Sequence, residues 1–286
     1  MSGNDELLKL LEASGDEEAI LDFRILKEEL EGKALEEAIR RRAFGEPLAY
    51  ILGYRHFYKE CYKVEPGVLI PRADTETVVE SALKFLGINP MATGDLLNVP
   101  SYDAGLADIV FADLCTGSGC IGISIANEIC RNKGTVKGYL VDISDVALRT
   151  SKANVQSQAI CPDALNVVEC DILHGFPKLE KLDFIVTNPP YITNSEMEDL
   201  DSVVKDYEPD LALRAGDDGL DFYGPIARNA MAALKDGGAI FAEHGYEQGE
   251  AVRAVFEQAG FKNVMTIRDY GGNPRVTLGI KKSQNA

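Results

Sequence analysis

The sequence predicts an α/β protein: a seven-stranded, mostly parallel, three-layer sheet, preceded by a small helical domain and a β-hairpin linker. Three observations carry this. Beyond about residue 72, short apolar runs alternate with helical segments; an acidic, helix-periodic stretch comes first; and a segment rich in aromatic and β-branched residues lies between them. At 286 residues and 45% hydrophobic composition the chain can build one large core and a smaller one, so two domains are expected.

From Leu7 to about Phe44, apolar residues recur at spacings of three and four (Leu7, Leu8, Leu11; Ala19, Phe23, Leu26, Leu30; Leu35, Ile39), with breaks at Gly15 and Gly32. That period belongs to short amphipathic helices in a small bundle, here residues 1–52. The stretch "GYRHFYKECYKVEPGVLIP" (53–71) has a charged centre and a Pro-Gly turn, and reads as a β-hairpin or extended linker between domains, taken here as the hairpin. Residues 72–286 form the larger domain. Residues 89–108 look like a loop. Its strands are predicted at 109–114, 136–141, 166–170, 182–187, 238–243, 264–268 and 275–280. Helical patterns fall between the first five, which makes the sheet parallel there. Only a glycine-rich turn separates the last two, so one of them pairs antiparallel.

Composition excludes several classes. No apolar run reaches 18 residues, so no membrane span is expected, and the acidic N-terminus resembles neither a secretory signal nor a transit peptide, which predicts a cytoplasmic protein. Six cysteines without a C-x-x-C pair read as reduced thiols, and three scattered histidines supply no metal set, so no metal is expected. A net charge of −17 opposes binding to a phosphate backbone. The basic run Arg40, Arg41, Arg42 reads as a solvated helix face.

The first chemical signal is "DLCTGSGCIGISIA" (113–126), a glycine turn between a strand and a helix. Gly117 and Gly119 let the backbone approach a ligand, and the helix N-terminus offers amides. Asp142, which closes the second strand, is placed to accept hydrogen bonds from ribose hydroxyls. Read as a two-glycine G-x-G turn, the motif suits a nucleoside ligand without a pyrophosphate better than NAD. S-adenosylmethionine is such a ligand. Asp171 ends the third strand, where it and Ile172 border the adenine or where Asp171 serves simply as a turn or cap residue. All of these positions lie outside the carboxyl ends of the strands, where open α/β sheets bind ligands.

The second signal is "NPPY" (188–191) at the end of the fourth strand. Proline stops pairing and holds the preceding residue extended, yet a turn alone does not need Asn, two prolines and an aromatic together. Methylating a planar amide or exocyclic amine needs acceptors that orient a poor nucleophile. The Asn188 side-chain oxygen and the Pro189 carbonyl can each accept one N–H of an NH₂ group, Pro189 and Pro190 make that pair rigid, and Tyr191 offers a flat stacking surface. No general base is needed if the proton leaves after methyl transfer.

With these motifs in place the chain resembles the release-factor glutamine N5-methyltransferases. The matching blocks are "GEPLAYILGYRHFY" (45–58), "VEPGVLIPRADTETVVE" (64–80), "DLCTGSGCIGI" (113–123), "VDIS" (141–144), "TNPPYI" (187–192), "YEPDLAL" (207–213), "GDDGLDFY" (216–223) and "GYEQGEAV" (245–252). The resemblance implies a Rossmann-like class I methyltransferase domain, with S-adenosylmethionine as methyl donor. The substrate it implies is the glutamine in the Gly-Gly-Gln loop of peptide-chain release factors, gripped in part through the N-terminal helices. It also implies that Cys115, Thr116, Gly117, Ser118 and Gly119, with Asp142, Asp171, Ile172 and Asn188, contact the cofactor. Asn188, Pro189, Pro190 and Tyr191 then hold the substrate glutamine, and Asn188, Pro189 and Tyr191 are the catalytic set. Arg72 and Glu76, four residues apart in "IPRADTE", either pair with each other or take part in binding. The family usually has glycine where Cys115 stands.

The alternative is an adenine-N6 methyltransferase acting on nucleic acid, which shares "NPPY" but needs a basic channel and base extrusion. Residues 194–219 hold nine acids against two bases, which argues against it. A non-catalytic S-adenosylmethionine sensor would have no use for the acceptor tetrapeptide. The expected partner is therefore a release factor, with neither nucleic acid nor membrane bound directly.

Overall fold

The computed structural model describes residues 3–14, 18–88, 94–102 and 105–282. Helices α1 (Gly3–Glu12), α2 (Ala19–Glu29) and α3 (Gly32–Ala43) bury one apolar stripe each, around Leu11, Leu26, Leu35 and Ile39. The break expected at Gly15 lies outside the described residues, whereas Gly32, at φ +57°, opens α3 as the spacing predicted. The short α4 (Leu48–Leu52) ends at Gly53, whose φ of +80° gives the left-handed closure that glycine reaches without strain.

Strands β1 (Tyr54–Phe57) and β2 (Glu60–Lys63) form the predicted antiparallel hairpin. It is fastened to the large domain rather than loose. Tyr62 Oη meets Ser124 Oγ at 2.7 Å, and Asn154 bonds both the Lys63 N–H (2.8 Å) and its carbonyl (3.0 Å).

The large domain begins with α5 (Glu76–Phe85) and continues β3 (Ile109–Leu114), α6 (Cys120–Arg131), β4 (Val136–Asp142), α7 (Asp145–Gln158), β5 (Leu165–Glu169) and β6 (Leu182–Thr187). Then follow α8 (Glu196–Asp199), α9 (Ser202–Tyr207), α10 (Tyr223–Ala233), β7 (Leu234–Glu243), α11 (Gly249–Gln258), β8 (Lys262–Arg268) and β9 (Pro274–Ile280). The seven strands lie in the order β5-β4-β3-β6-β7-β9-β8, with β9 antiparallel to both neighbours. Every residue of β3 and β6 is buried, as expected of central strands covered on both faces. The strand order reverses beside β3, which opens a crevice at the carboxyl ends of β3 and β6.

Four expectations need correction. No helix lies between β5 and β6: Gly175 and Pro177 break the pattern there, and Phe176 and Leu179 pack on the core from an irregular segment. The loop before β3 contains a 3-10 turn, Gly94–Asn98, that buries Leu96. Cys130, in the last turn of α6, and Cys161 are joined as a disulfide, while Cys61, Cys115, Cys120 and Cys170 are free; a pairing across two elements has no signature in spacing. In the basic run only Arg40 is fully solvated, since Arg41 pairs with Glu46 and Arg42 is held against Asp22. Among the described residues no helix is long and apolar enough to cross a membrane.

Candidate active site

The carboxyl ends of β3 to β6 form the floor of a cleft enclosing about 940 Å³, its open mouth included. Two segments cover it: Gly67 to Arg72, after the hairpin, and Pro209 to Ala212, after α9. Cys115, Thr116, Gly117 and Ser118 line the cleft together with Asp142, Asp171, Ile172, Asn188 and Pro190. Three predicted residues do not line it. Gly119 is the N-cap of α6, Pro189 is buried, and Tyr191 is half-buried and packs against the core under α10.

The glycine turn is held from both sides. Thr116 N–H donates to the Val141 carbonyl (3.0 Å), and Gly117 N–H donates to Asp142 Oδ2 (2.9 Å). A Cβ on Gly117 would meet nothing within 4 Å, so this stretch of backbone faces open space. Gly122 completes a G-x-G-x-x-G spacing, so the two-glycine reading was incomplete and spacing alone does not separate a nucleoside from a dinucleotide. A Cβ at Gly122 would come within 2.3 Å of Leu140 Cδ2, so this glycine serves close packing of α6 on the sheet. Cys115 itself adopts φ +55°, the left-handed region that a glycine enters freely.

Asp113 was not singled out from the sequence, yet it braces the turn. It is fully buried, and its Oδ2 accepts the Thr116 hydroxyl (2.6 Å) and the Gly122 N–H (3.0 Å), while Oδ1 has no partner. Burial pushes its carboxyl up to about 7. Asp142 spends one oxygen on Gly117 and the other on the Ser144 N–H (2.9 Å); each keeps a lone pair for a ligand hydroxyl. Asp171 is a turn residue that also lines the cleft. It accepts the Leu173 N–H, pairs with His174, which lowers its acidity range, and still borders the cleft beside buried Ile172.

The Asn188–Tyr191 segment is supported by blocks remote in sequence. Thr187 Oγ1 donates to the Leu114 carbonyl (2.9 Å), which ties the ends of β6 and β3 together. Asn188 Nδ2 donates to Thr75 Oγ1 (3.3 Å), and Gln248 Nε2 donates to the Tyr191 carbonyl (2.8 Å). Ile192 bridges to Arg214, and Gly219 lies against the Tyr191 carbonyl, where a Cβ would approach to 2.4 Å. Thr75 and Gln248 thus belong to the site. Their sequence signal is membership of the "IPRADTE" (70–76) and "GYEQG" (245–249) blocks. Arg72 and Glu76 do not pair with each other: Arg72 pairs with Glu208, and Glu76 accepts the Tyr58 N–H at 2.9 Å.

Residues 100–205, which carry the glycine turn, Asp142 and Asn188–Tyr191, match the family model of the Methyltransferase small domain. Curated relatives extend the match over most of the chain. The release factor glutamine methyltransferase of Fusobacterium nucleatum subsp. nucleatum is 36% identical over 92% of this chain and 68% of its own length. Those of Aliivibrio fischeri (38% identical; 84% and 76%) and Salmonella typhimurium (36%; 88% and 81%) agree. The chain belongs to the release factor glutamine methyltransferase family.

The cleft suits the methyl donor of this family. The open face of Gly117, the spare lone pairs of Asp142 and the apolar Ile172 meet a backbone-contacting, hydroxyl-bearing and planar ligand respectively. Of the "NPPY" edge, Asn188 and Pro190 line the cleft directly.

Proposed function

We propose that this protein transfers a methyl group from S-adenosylmethionine to the side-chain amide nitrogen of the glutamine in the Gly-Gly-Gln loop of peptide-chain release factors. The observation that carries the reading is the placement of Asn188. Its amide nitrogen is tied to Thr75 at the edge of the same cleft that the glycine turn lines, which leaves its oxygen to act as an acceptor. Bound in the cleft, S-adenosylmethionine supplies an electrophilic methyl group. The chain's own residues do the rest: Cys115 to Gly119 and Asp142, with Asp171 and Ile172, hold the donor, while Asn188 and Pro189 accept the two N–H groups of the substrate amide.

Pro189 and Pro190 fix that acceptor edge before substrate arrives, so the work is orientation of a weak nucleophile. Tyr191, held through its carbonyl by Gln248, backs the planar group. The carbonyl oxygens stabilise positive charge developing on nitrogen, and its proton leaves to water after transfer. Release factors act where translation ends, which places the enzyme in the cytoplasm. The acidic segment 194–219 beside the site disfavours a nucleic-acid substrate.

Tritiated methyl transfer tests the reading against purified release factor, its loop Gln→Ala variant and duplex DNA. Label on the intact release factor alone is expected. Label on DNA, or equal label on the Gln→Ala variant, overturns the assignment.

A further inference from the structure

Thr187 on β6 pairs with Ala242 on the parallel strand β7, so the next residues, Asn188 and Glu243, leave the sheet side by side at its carboxyl edge. Glu243 is 1% exposed, and its Oε2 has no hydrogen-bond partner. The Thr75 and Asn188 side chains face this carboxyl, and Asn188 Nδ2 donates to Thr75 Oγ1 at 3.3 Å. Asn188 Nδ2 donates to Thr75 Oγ1 with Glu243 beside it, so nitrogen is the end of the Asn188 amide that these neighbours hold. A flipped Asn188 would set its own oxygen against those two acceptors and leave its NH₂ in the cleft as a donor.

We propose that Glu243 and Thr75 are positioning residues that hold the Asn188 amide with nitrogen inward and oxygen toward the cleft, the only orientation that can accept a substrate N–H. The inference deepens the proposed amide methylation and rests on it. The surrounding groups fit this role. Arg275 faces Glu243 from β9 but is engaged by Asp269 (3.1 Å) and Asp74 (3.2 Å). Tyr223 on α10 donates to the Glu243 backbone carbonyl (2.8 Å), and Tyr191 and Cys120 face the carboxylate from the end of β6 and from α6. The carboxylate is thus left to Thr75 and Asn188.

The test uses the full chain and the variants Glu243→Gln and Thr75→Val, each nearly isosteric. A glutamine at 243 can offer its NH₂ to Asn188 and so permits the flip. Expected is a fall in kcat for release factor on the order of tenfold, with KM for S-adenosylmethionine within about twofold. In an Asn188→Ala background Glu243→Gln should add no further loss, because the residue acts through Asn188. The second readout needs no substrate: the Asn188 side-chain ¹⁵NH₂ resonances, assigned by their loss in Asn188→Ala, should shift in both variants of the ligand-free protein. Unshifted resonances, an unchanged kcat, or a tenfold loss that persists in the Asn188→Ala background would each overturn the role. If wild-type protein fails to methylate release factor at all, the functional reading falls while the resonances still decide the inference.

Discussion

Glu208 and Arg72, 136 residues apart, join across the mouth of the cleft. The Glu208 side chain is 1% exposed and also accepts the Ile70 N–H (3.2 Å), so one carboxylate fastens the segment after α9 to the segment after the hairpin. Removing it leaves a buried N–H unpaired, at a cost of about 1–3 kcal/mol, and loosens both covers of the cleft. Glu208→Ala is expected to weaken binding of S-adenosylhomocysteine on the order of tenfold, measured by titration calorimetry. Undiminished affinity would show that the two segments stay in place without this link.

Cys115 tests the turn. A side chain at φ +55° carries strain of about 1–2 kcal/mol, which Gly escapes and a β-branched residue worsens. Cys115→Gly should remain within about 1 kcal/mol of the parent in urea denaturation, with methyl transfer retained, whereas Cys115→Val should lose more than about 2 kcal/mol. Equal stability of the two variants would remove the backbone explanation for the glycine usual at this position.

Two buried carboxyls predict how stability varies with pH. Burial raises Asp113 from 3.8 to about 7 and Glu243 from 4.5 to about 7. Between these limits the folded protein binds more protons than the unfolded chain, so stability falls as pH rises, most steeply from about 5 to 7, and levels off above that. Asp171 and Asp210, whose acidity ranges are lowered by His174 and Arg214, act in the opposite sense at lower pH, and His244, whose range burial lowers, offsets part of the slope within the window. Denaturation of the ligand-free protein at a series of pH values should show this slope, and the double variant Asp113→Asn, Glu243→Gln should flatten it. A parent whose stability rises from pH 5 to 7 contradicts the assignment.

At the acceptor edge, Asn188→Ala should lower turnover about a hundredfold, to a residual rate that remains measurable, while the thermal midpoint changes little. Tyr191→Phe keeps the ring and should stay within about threefold of the parent kcat; Tyr191→Ala should lose far more. Parity of the Phe and Ala variants would remove the stacking role.

Gly219 explains why the "GDDGLDFY" block accompanies "NPPY". With φ +72° and a Cβ that would reach 2.2 Å from Gln248 Nε2 and 2.4 Å from the Tyr191 carbonyl, it leaves room for the bond between those two groups. Gly219→Ala is expected to reduce kcat on the order of tenfold or more, with S-adenosylhomocysteine binding retained. Intact turnover would mean that the segment shifts without disturbing Tyr191.

The sequence by itself determined the strands at 109–114 and 182–187 to the residue, the hairpin, and the cluster of Gly117, Asp142 and Asn188 at one sheet edge. These are local facts: apolar period, turn residues and the rule that parallel strands end together. Only the tertiary structure decided that Glu243 stands beside Asn188, that Thr75 reaches Asn188 across 113 residues, that Glu208 meets Arg72 rather than Glu76 meeting it, and that Cys130 joins Cys161. It also decided that Tyr191 packs half-buried against the core beside the cleft that its tetrapeptide borders. Residue type and spacing encode what a segment prefers alone; which segments become neighbours depends on strand order and crossovers, and those follow from burying all the apolar faces at once.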